Sequence, residues 1–415
     1  MKSIICLFED EGYSNLLPLG YLRPVYDLNC GILSLREKIE RFFPKAEIVL
    51  HSRDYLTQVL KERYPNKKIL EPMKGVITFI NGRLLPDKNV IDRINKLKTG
   101  ETLIKNDAVI AIKLSYDEAQ KYFSSEFNII KFDTTQFSAY ELNDAKLINY
   151  PWDLINQNGY EIRNDFQLLK KRTNINIKLD KNVAVINKRL VFIDKGTTIN
   201  PFVLIDASKG PIYIGKNVEI MSHVTIKGPA YIGDGSMIKS HTAVYHDTSI
   251  GKVCKIGGEI ENSIIHSYTN KQHEGFLGHS YLGSWINIGA STNNSDLKNN
   301  YGNVDVIING KLIHSESQFI GLIMGDHSKT AINTMFNTGT TVGVSCNIFG
   351  AGFPPKYIPS FSWGGSEWIR TYNISKSIEV AKIVMKRRNV ELSEIEEKLL
   401  HKVFDITSTE RKDKV

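Results

Sequence analysis

The sequence predicts an α/β N-terminal domain joined to a left-handed parallel β-helix, with two helices at the C-terminal end. Three observations carry this. First, eight aliphatic residues recur every six positions: Ile214, Ile220, Ile226, Ile232, Ile238, Val244, Ile250 and Ile256. That period fits neither an α-helix nor an alternating strand. It is the mark of short parallel strands wound into triangular coils, with one aliphatic side chain per repeat pointing inward. Second, the residues before this array alternate apolar strand-like runs with a helical pattern. Third, Gly350-Ala351-Gly352-Phe353-Pro354-Pro355 punctuates the chain and helical periodicity follows.

Each part follows in order. In residues 1–172, Ile4–Phe8, Val76–Ile80 and Ala108–Ile112 are buried-strand runs, while Ile32, Leu35, Ile39 and Phe42 repeat at helical spacing. In residues 173–352 the six-residue register extends back to Ile193, Ile199 and Ile205. It extends forward to Leu282 and Ile288, then Phe336, Val342 and Ile348. Glycines at 215, 233, 251 and 257 follow inward residues, where tight corners favour them. The register fails near 259–278 and 293–318, and loops that leave a solenoid are where its function resides. In residues 353–415, one helix is expected from near Ser375 to Arg388. A second starts at Ser393, with Glu396 three residues on as a capping box.

Composition narrows the function. The chain has 415 residues, 41% hydrophobic and 24% charged, with a net charge of +8. That balance favours small anionic ligands, such as nucleotides, sugar phosphates or CoA. There is no nucleic-acid-binding motif and no apolar stretch near the roughly 20 residues that span a bilayer. Four scattered cysteines form neither a zinc motif nor a disulfide framework. The expectation is a soluble, cytoplasmic protein without nucleic-acid partners or membrane insertion.

The segment His273-Glu274-Gly275-Phe276-Leu277-Gly278, followed by Asn287-Ile288-Gly289-Ala290-Ser291-Thr292, carries the candidate chemistry. Moving an acetyl group from a thioester to an amine needs a base, donors for the developing oxyanion, and a slot that joins the two substrates. A loop histidine titrates near neutrality and suits the base, and backbone N–H groups around Gly289-Ala290 suit the oxyanion.

These residues resemble the acetyltransferase half of the bifunctional N-acetylglucosamine-1-phosphate uridyltransferase/glucosamine-1-phosphate acetyltransferase family. The resemblance implies His273 as catalytic base, and Ala290 and Ser291 on the cofactor side. Asp296, with Asn294 nearby, falls at the family's amine-side position. Lys271 stands in for the family's phosphate-clamping cations; Lys329, outside the matched motif, is expected near a CoA phosphate. Phe276 replaces the usual tyrosine. The role of His279 stays open between packing and sugar contact, and that of His327 between the CoA groove and a solvated corner.

The N-terminal residues are similar to sugar-phosphate nucleotidyltransferases, in particular a Bacteroidetes-type subgroup fused to a hexapeptide domain. The frame Leu17-Pro18-Leu19…Arg23-Pro24-Val25, the run Cys30–Lys38 and Pro151-Trp152-Asp153-Leu154 carry this likeness. It implies a Rossmann-like nucleotidyltransferase domain, with Arg23 at phosphate and Asp153 as a displaced metal ligand. The Gly-rich loop is absent, and Arg83 stands at the expected metal aspartate. The implied activity is acetyl transfer from acetyl-CoA to an amino-sugar 1-phosphate in a homotrimer. Uridylyl transfer from UTP (or dTTP as nucleotide) with Mg2+ would make it bifunctional. Two alternatives stand beside it: a nucleotidyltransferase whose solenoid only oligomerises, and a non-catalytic sugar-nucleotide sensor.

Overall fold

The computed structural model describes residues 3–123, 129–169 and 175–412; the expected boundary at 172/173 lies outside the described residues. The N-terminal domain is a seven-stranded mixed sheet built from β1 (Ile4–Phe8), β2 (Glu47–Leu50), β3 (Lys68–Ile69), β4 (Ile77–Asn81), β5 (Glu101–Lys105), β6 (Ala108–Leu114) and β7 (Ser138–Glu141). The spatial order is β7-β5-β6-β4-β1-β2-β3, with β1 parallel to both neighbours at the centre. Every residue of β1 and β4 is buried, as a strand covered on both faces requires. The helix Leu35–Phe42 begins in a full capping box between Ser34 and Glu37.

The solenoid bears out the six-residue reading. All eight register residues are fully buried in one continuous apolar core. One face is a nine-stranded parallel ladder whose inward partners run Ile193, Ile214, Ile232, Ile250, Ile265, Leu282, Met324, Val342 and Ile358. The second face aligns Ile199, Ile220, Ile238, Ile256 and Lys271. The third aligns Val185, Ile205, Ile226, Val244, Ile260 and Leu277.

Two expectations change. Residues 259–278 do not leave the solenoid: they form an ordinary coil with shortened corners, which breaks the six-residue count without breaking the strand ladders. The true excursion is the antiparallel hairpin Asp305–Ile308/Lys311–His314. The coils also run past Gly350, through Tyr357–Ile358 and Ser362–Gly364. Helices follow at Ile374–Lys386 and Glu394–Ile406, the second capped by Ser393, which accepts from the Glu396 N–H. A short helix, Ser408–Lys412, follows.

The two domains share a buried polar seam. The Tyr281 hydroxyl accepts from Asn29 N at 2.9 Å and donates to its carbonyl at 3.2 Å. Ser249 Oγ donates to the Gly31 carbonyl at 2.7 Å. Arg23 reaches across to both carboxylate oxygens of Asp326 and to Ser284 Oγ.

Candidate active site at a coil corner

The corner between the second and third faces carries the candidate chemistry. In the lower coils it holds Phe202, His223 and His241, all in the left-handed backbone region. Their rings stack at centroid distances of 5.3 and 4.9 Å. In the next coil the corner shrinks to Gly257-Gly258. A Cβ on Gly257 would meet the Gln272 carbonyl oxygen at 2.5 Å, and one on Gly258 would meet the Gly275 carbonyl oxygen at 2.6 Å. Only glycine lets the following corner, His273-Glu274-Gly275, settle this closely.

Lys271 fixes that corner. It occupies an inward position of the isoleucine ladder and is 1% exposed. Its ammonium donates to the carbonyls of Gly257 (3.0 Å), His273 (3.1 Å) and Gly275 (2.7 Å). All three donors therefore serve main chain, and burial pulls its pKa down to about 8. The structure thus gives Lys271 a positioning place beneath His273. His273 itself is exposed at the surface of the corner.

The coil above closes over this corner. Ser291 N donates to the Glu274 carbonyl at 3.1 Å, and its hydroxyl donates to Glu274 Oε1 at 2.7 Å. That hydroxyl is the first cause holding the Glu274 carboxyl below the usual carboxylate range. Ala290, half-exposed, sits beside Ser291 on the same corner. Ala290 and Ser291 therefore stack on the coil corner that carries His273 and Glu274.

Across the strand Phe276–Gly278 lies a second polar group. Asp296 Oδ2 pairs with His279 Nδ1 at 2.8 Å, and the His279 ring stacks on Phe319 at 4.8 Å. Gly278 forms the floor between: a Cβ there would meet Asp296 Oδ2 and the Phe276 ring at 2.4 Å each. The residues are 17 apart, one coil, so the spacing of His279 and Asp296 was the signal that could have paired them. Asn294 is buried; its amide bonds both the N–H and the carbonyl of Gly278 at 3.0 Å. It splices the third sheet rather than facing outward.

The remaining expected residues lie elsewhere. The Lys329 ammonium donates to the His327 carbonyl at 2.8 Å, towards the opposite corner of the second face, and burial lowers its pKa to about 8. Arg23 is held in the domain seam by Asp326. Asp153 Oδ2 accepts from the N–H groups of Asn149 and Tyr150, tying down the start of the helix Pro151–Leu169.

The end of β1, where a nucleotidyltransferase would hold a divalent cation, carries a cation of its own. Arg83, 4% exposed, donates to Asp10 Oδ1 at 2.7 Å and to Oδ2 at 2.6 Å. Its guanidinium lies over Gly12, where a Cβ would meet it at 2.4 Å. Glu9 is buried against Arg53, with which it pairs at 3.1 Å. Both carboxylates are thus neutralised by arginines. Among the described residues no group of three or more His, Cys, Asp or Glu side chains is placed to hold a metal. The residues present do not fit a magnesium ion at this strand end.

Comparison with known proteins agrees with the two-domain reading. A sugar nucleotidyl transferase family matches residues 5–174, and the bacterial transferase hexapeptide family matches residues 211–246. The chain is 29% identical over 349 residues to the bifunctional protein GlmU of Methanocaldococcus jannaschii, covering 75% of this chain and 84% of that one. It is 34% identical over 143 residues to a bifunctional sugar-1-phosphate nucleotidylyltransferase/acetyltransferase of Sulfurisphaera tokodaii. That match covers 34% of this chain and 36% of the relative. The LpxA UDP-N-acetylglucosamine acyltransferase of Bacteroides fragilis aligns over 56% of this chain and 91% of its own. Its identity is 17% and its TM-score 0.32.

A nucleotidyltransferase-type α/β domain seated on a hexapeptide solenoid with a corner histidine defines the class: a two-domain, sugar-nucleotide-type transferase. Within that class, the chain is similar across both domains to the GlmU-like bifunctional sugar-1-phosphate nucleotidyltransferase/acetyltransferases.

Proposed function

We propose that the chain transfers an acetyl group from acetyl-CoA to the amine of an amino-sugar 1-phosphate, with glucosamine 1-phosphate as the first acceptor to test. The observation that carries this is the His273-Glu274 corner, fixed from below by Lys271 and closed from above by Ala290-Ser291. His273 takes the proton as the acceptor nitrogen attacks the thioester carbonyl. The C–N bond forms, the C–S bond breaks, and the proton passes to the departing thiolate to give CoA thiol. Gly289 N donates to Thr330 Oγ1 and Ser291 N to the Glu274 carbonyl, so the Ala290 N–H serves the developing oxyanion. Asp296 and His279 flank the notch at Gly278 and receive the amine-bearing sugar.

The site is open on one chain. Phe202 and Ile332, both more than half exposed, lie on the same corner column as His273. A homotrimer would bury them and supply the second wall of the CoA groove. Nucleotidyl transfer, the other reaction in the relatives' names, has its domain in residues 5–174, but the Arg83–Asp10 pair stands where the metal would act. Acetyl transfer is therefore the reaction the geometry supports best.

The test is incubation with acetyl-CoA and glucosamine 1-phosphate, followed by mass spectrometry. N-acetylglucosamine 1-phosphate is expected; its absence with folded, oligomeric protein would remove the proposal.

A further inference from the structure

A cavity of about 590 Å3 lies where the N-terminal domain, the solenoid and the C-terminal helices meet. Its size is within the roughly 300–1,000 Å3 of small-molecule sites. It is separate from both places already described: His273, Glu9, Asp10 and Arg83 do not line it.

One wall is the corner between the first and second faces. In the other coils the left-handed position there is taken by Gly196, Asn217, Gly235, Val253, Ser345 and Phe361. In three consecutive coils it is Tyr268, Trp285 and His327, with φ of 66°, 62° and 61°. Bulky residues rarely adopt that backbone; unlike the exposed Phe202–His223–His241 run on the other corner, this run lines a cavity. Their rings form a near-parallel column, with Tyr268 and Trp285 4.2 Å apart at 11°, and Trp285 and His327 6.3 Å apart at 15°. The column ends at Tyr268, because Val253 below it offers no ring.

A second, independent observation points to a ligand. His327 lines the cavity, is 7% exposed, and its Nδ1 has no hydrogen-bond partner among the described residues. Buried polar atoms are nearly always bonded, so this nitrogen awaits a group from outside the fold. Charge supplies the third element. Arg41 and Lys252 border the cavity, are exposed, and enter no ion pair with a described residue, while the carboxylates of Glu37 and Asp234 on the same lining accept from the Ser34 and Lys216 N–H groups.

We propose that this cavity binds a nucleoside phosphate, its base stacked on the open end of the Tyr268–Trp285–His327 column and its phosphates between Arg41 and Lys252. Aromatic rings beside unpaired cations select a ligand that is planar at one end and anionic at the other. The His327 nitrogen meets a hydroxyl or amide of the same ligand. The cavity touches all three parts of the chain, so occupancy would fix their mutual placement.

Calorimetric titration of the full chain with UDP, ADP and inorganic pyrophosphate tests this. Tyr268→Asn keeps the backbone, since Asn217 adopts the same conformation in the same column. Saturable binding of UDP or ADP, one per chain, is expected. Tyr268→Asn should weaken it tenfold or more, as loss of one stacked base implies. Lys252→Ala should weaken it and flatten its salt dependence. No binding of either nucleotide at millimolar concentration would overturn the proposal. So would nucleotide binding that Tyr268→Asn leaves intact, or pyrophosphate binding as tight as nucleotide. None of these outcomes bears on acetyl transfer, so the two proposals fail separately.

Discussion

Replacing Lys271 by methionine tests how the His273 corner is held. The side chain sits in an isoleucine ladder, so Met fills the same space without the charge. Two terms oppose each other. The Gly257 and His273 carbonyls lose their donor, while the Gly275 carbonyl keeps the Glu259 N–H at 3.2 Å. Each carbonyl left buried and unbonded costs about 1–3 kcal/mol. Against this, holding the ammonium charged costs about 3 kcal/mol at neutral pH, because its pKa falls from 10.5 to about 8. The net change in stability should therefore be small, within about 2–3 kcal/mol, while acetyl transfer falls because His273 loses its footing. The pH dependence gives the sharper signal. Between about 8 and 10.5 the unfolded chain binds this proton and the folded chain does not, so wild-type stability should rise with pH across that window. Denaturant unfolding at pH 7.5 and 10 should show a wild-type gain, by up to about 3 kcal/mol, that Lys271→Met lacks. Equal pH dependence in both proteins, or full activity in the variant, would refute the positioning role.

Three further outcomes follow from the geometry. His279→Gln should break the pair with Asp296 and raise the KM for the amino-sugar phosphate about tenfold or more, with kcat far less changed; an unaltered KM would separate this pair from the acceptor. Wild-type protein given UTP or dTTP, a sugar 1-phosphate and Mg2+ should release no pyrophosphate at a rate typical of such enzymes, because Arg83 pairs with Asp10; turnover of about 1 s⁻¹ or faster would show that the arginine is displaced in use. Burial lowers the His327 pKa from 6.5 to about 3, so the unfolded chain binds a proton there that the folded chain refuses. Stability should therefore fall as pH drops from about 6.5 towards 3, by at most about 5 kcal/mol, and His327→Asn should lose that component in acid unfolding curves.

The solenoid was legible because its period is enforced at every coil: Ile214 to Ile256 point inward without exception. His273, Ala290 and Ser291 were legible together because consecutive coils stack their corners. What escaped were the places where a coil is shortened or a position is filled against type. The Gly257-Gly258 corner drops residues from the count, so Lys271 read as a loop cation and not as a member of the ladder. Arg23 and Asp326 lie 303 residues apart, and no periodicity links the two domains; the ion pair that replaces phosphate contact exists only in the assembled fold. Asp153 looked like a displaced metal ligand, yet its carboxylate binds the backbone four and three residues before it. Strands β1, β4 and β6 were visible as apolar runs, but β2, β3, β5 and β7 were not, because β2 and β3 are short and half-buried, β5 is only partly buried and β7 is exposed throughout.

The central claim is that His273 is the base for acetyl transfer. Its most direct test is CoA thiol release from acetyl-CoA in the presence of glucosamine 1-phosphate, comparing wild type with His273→Ala at matched stability. Since His273 is exposed, the substitution should leave the fold intact. Acceptor-dependent release should fall by about 10²–10⁴ in kcat, the usual contribution of a general base. Release that persists in the variant within tenfold of wild type would contradict the account and move the chemistry to another group on the solenoid.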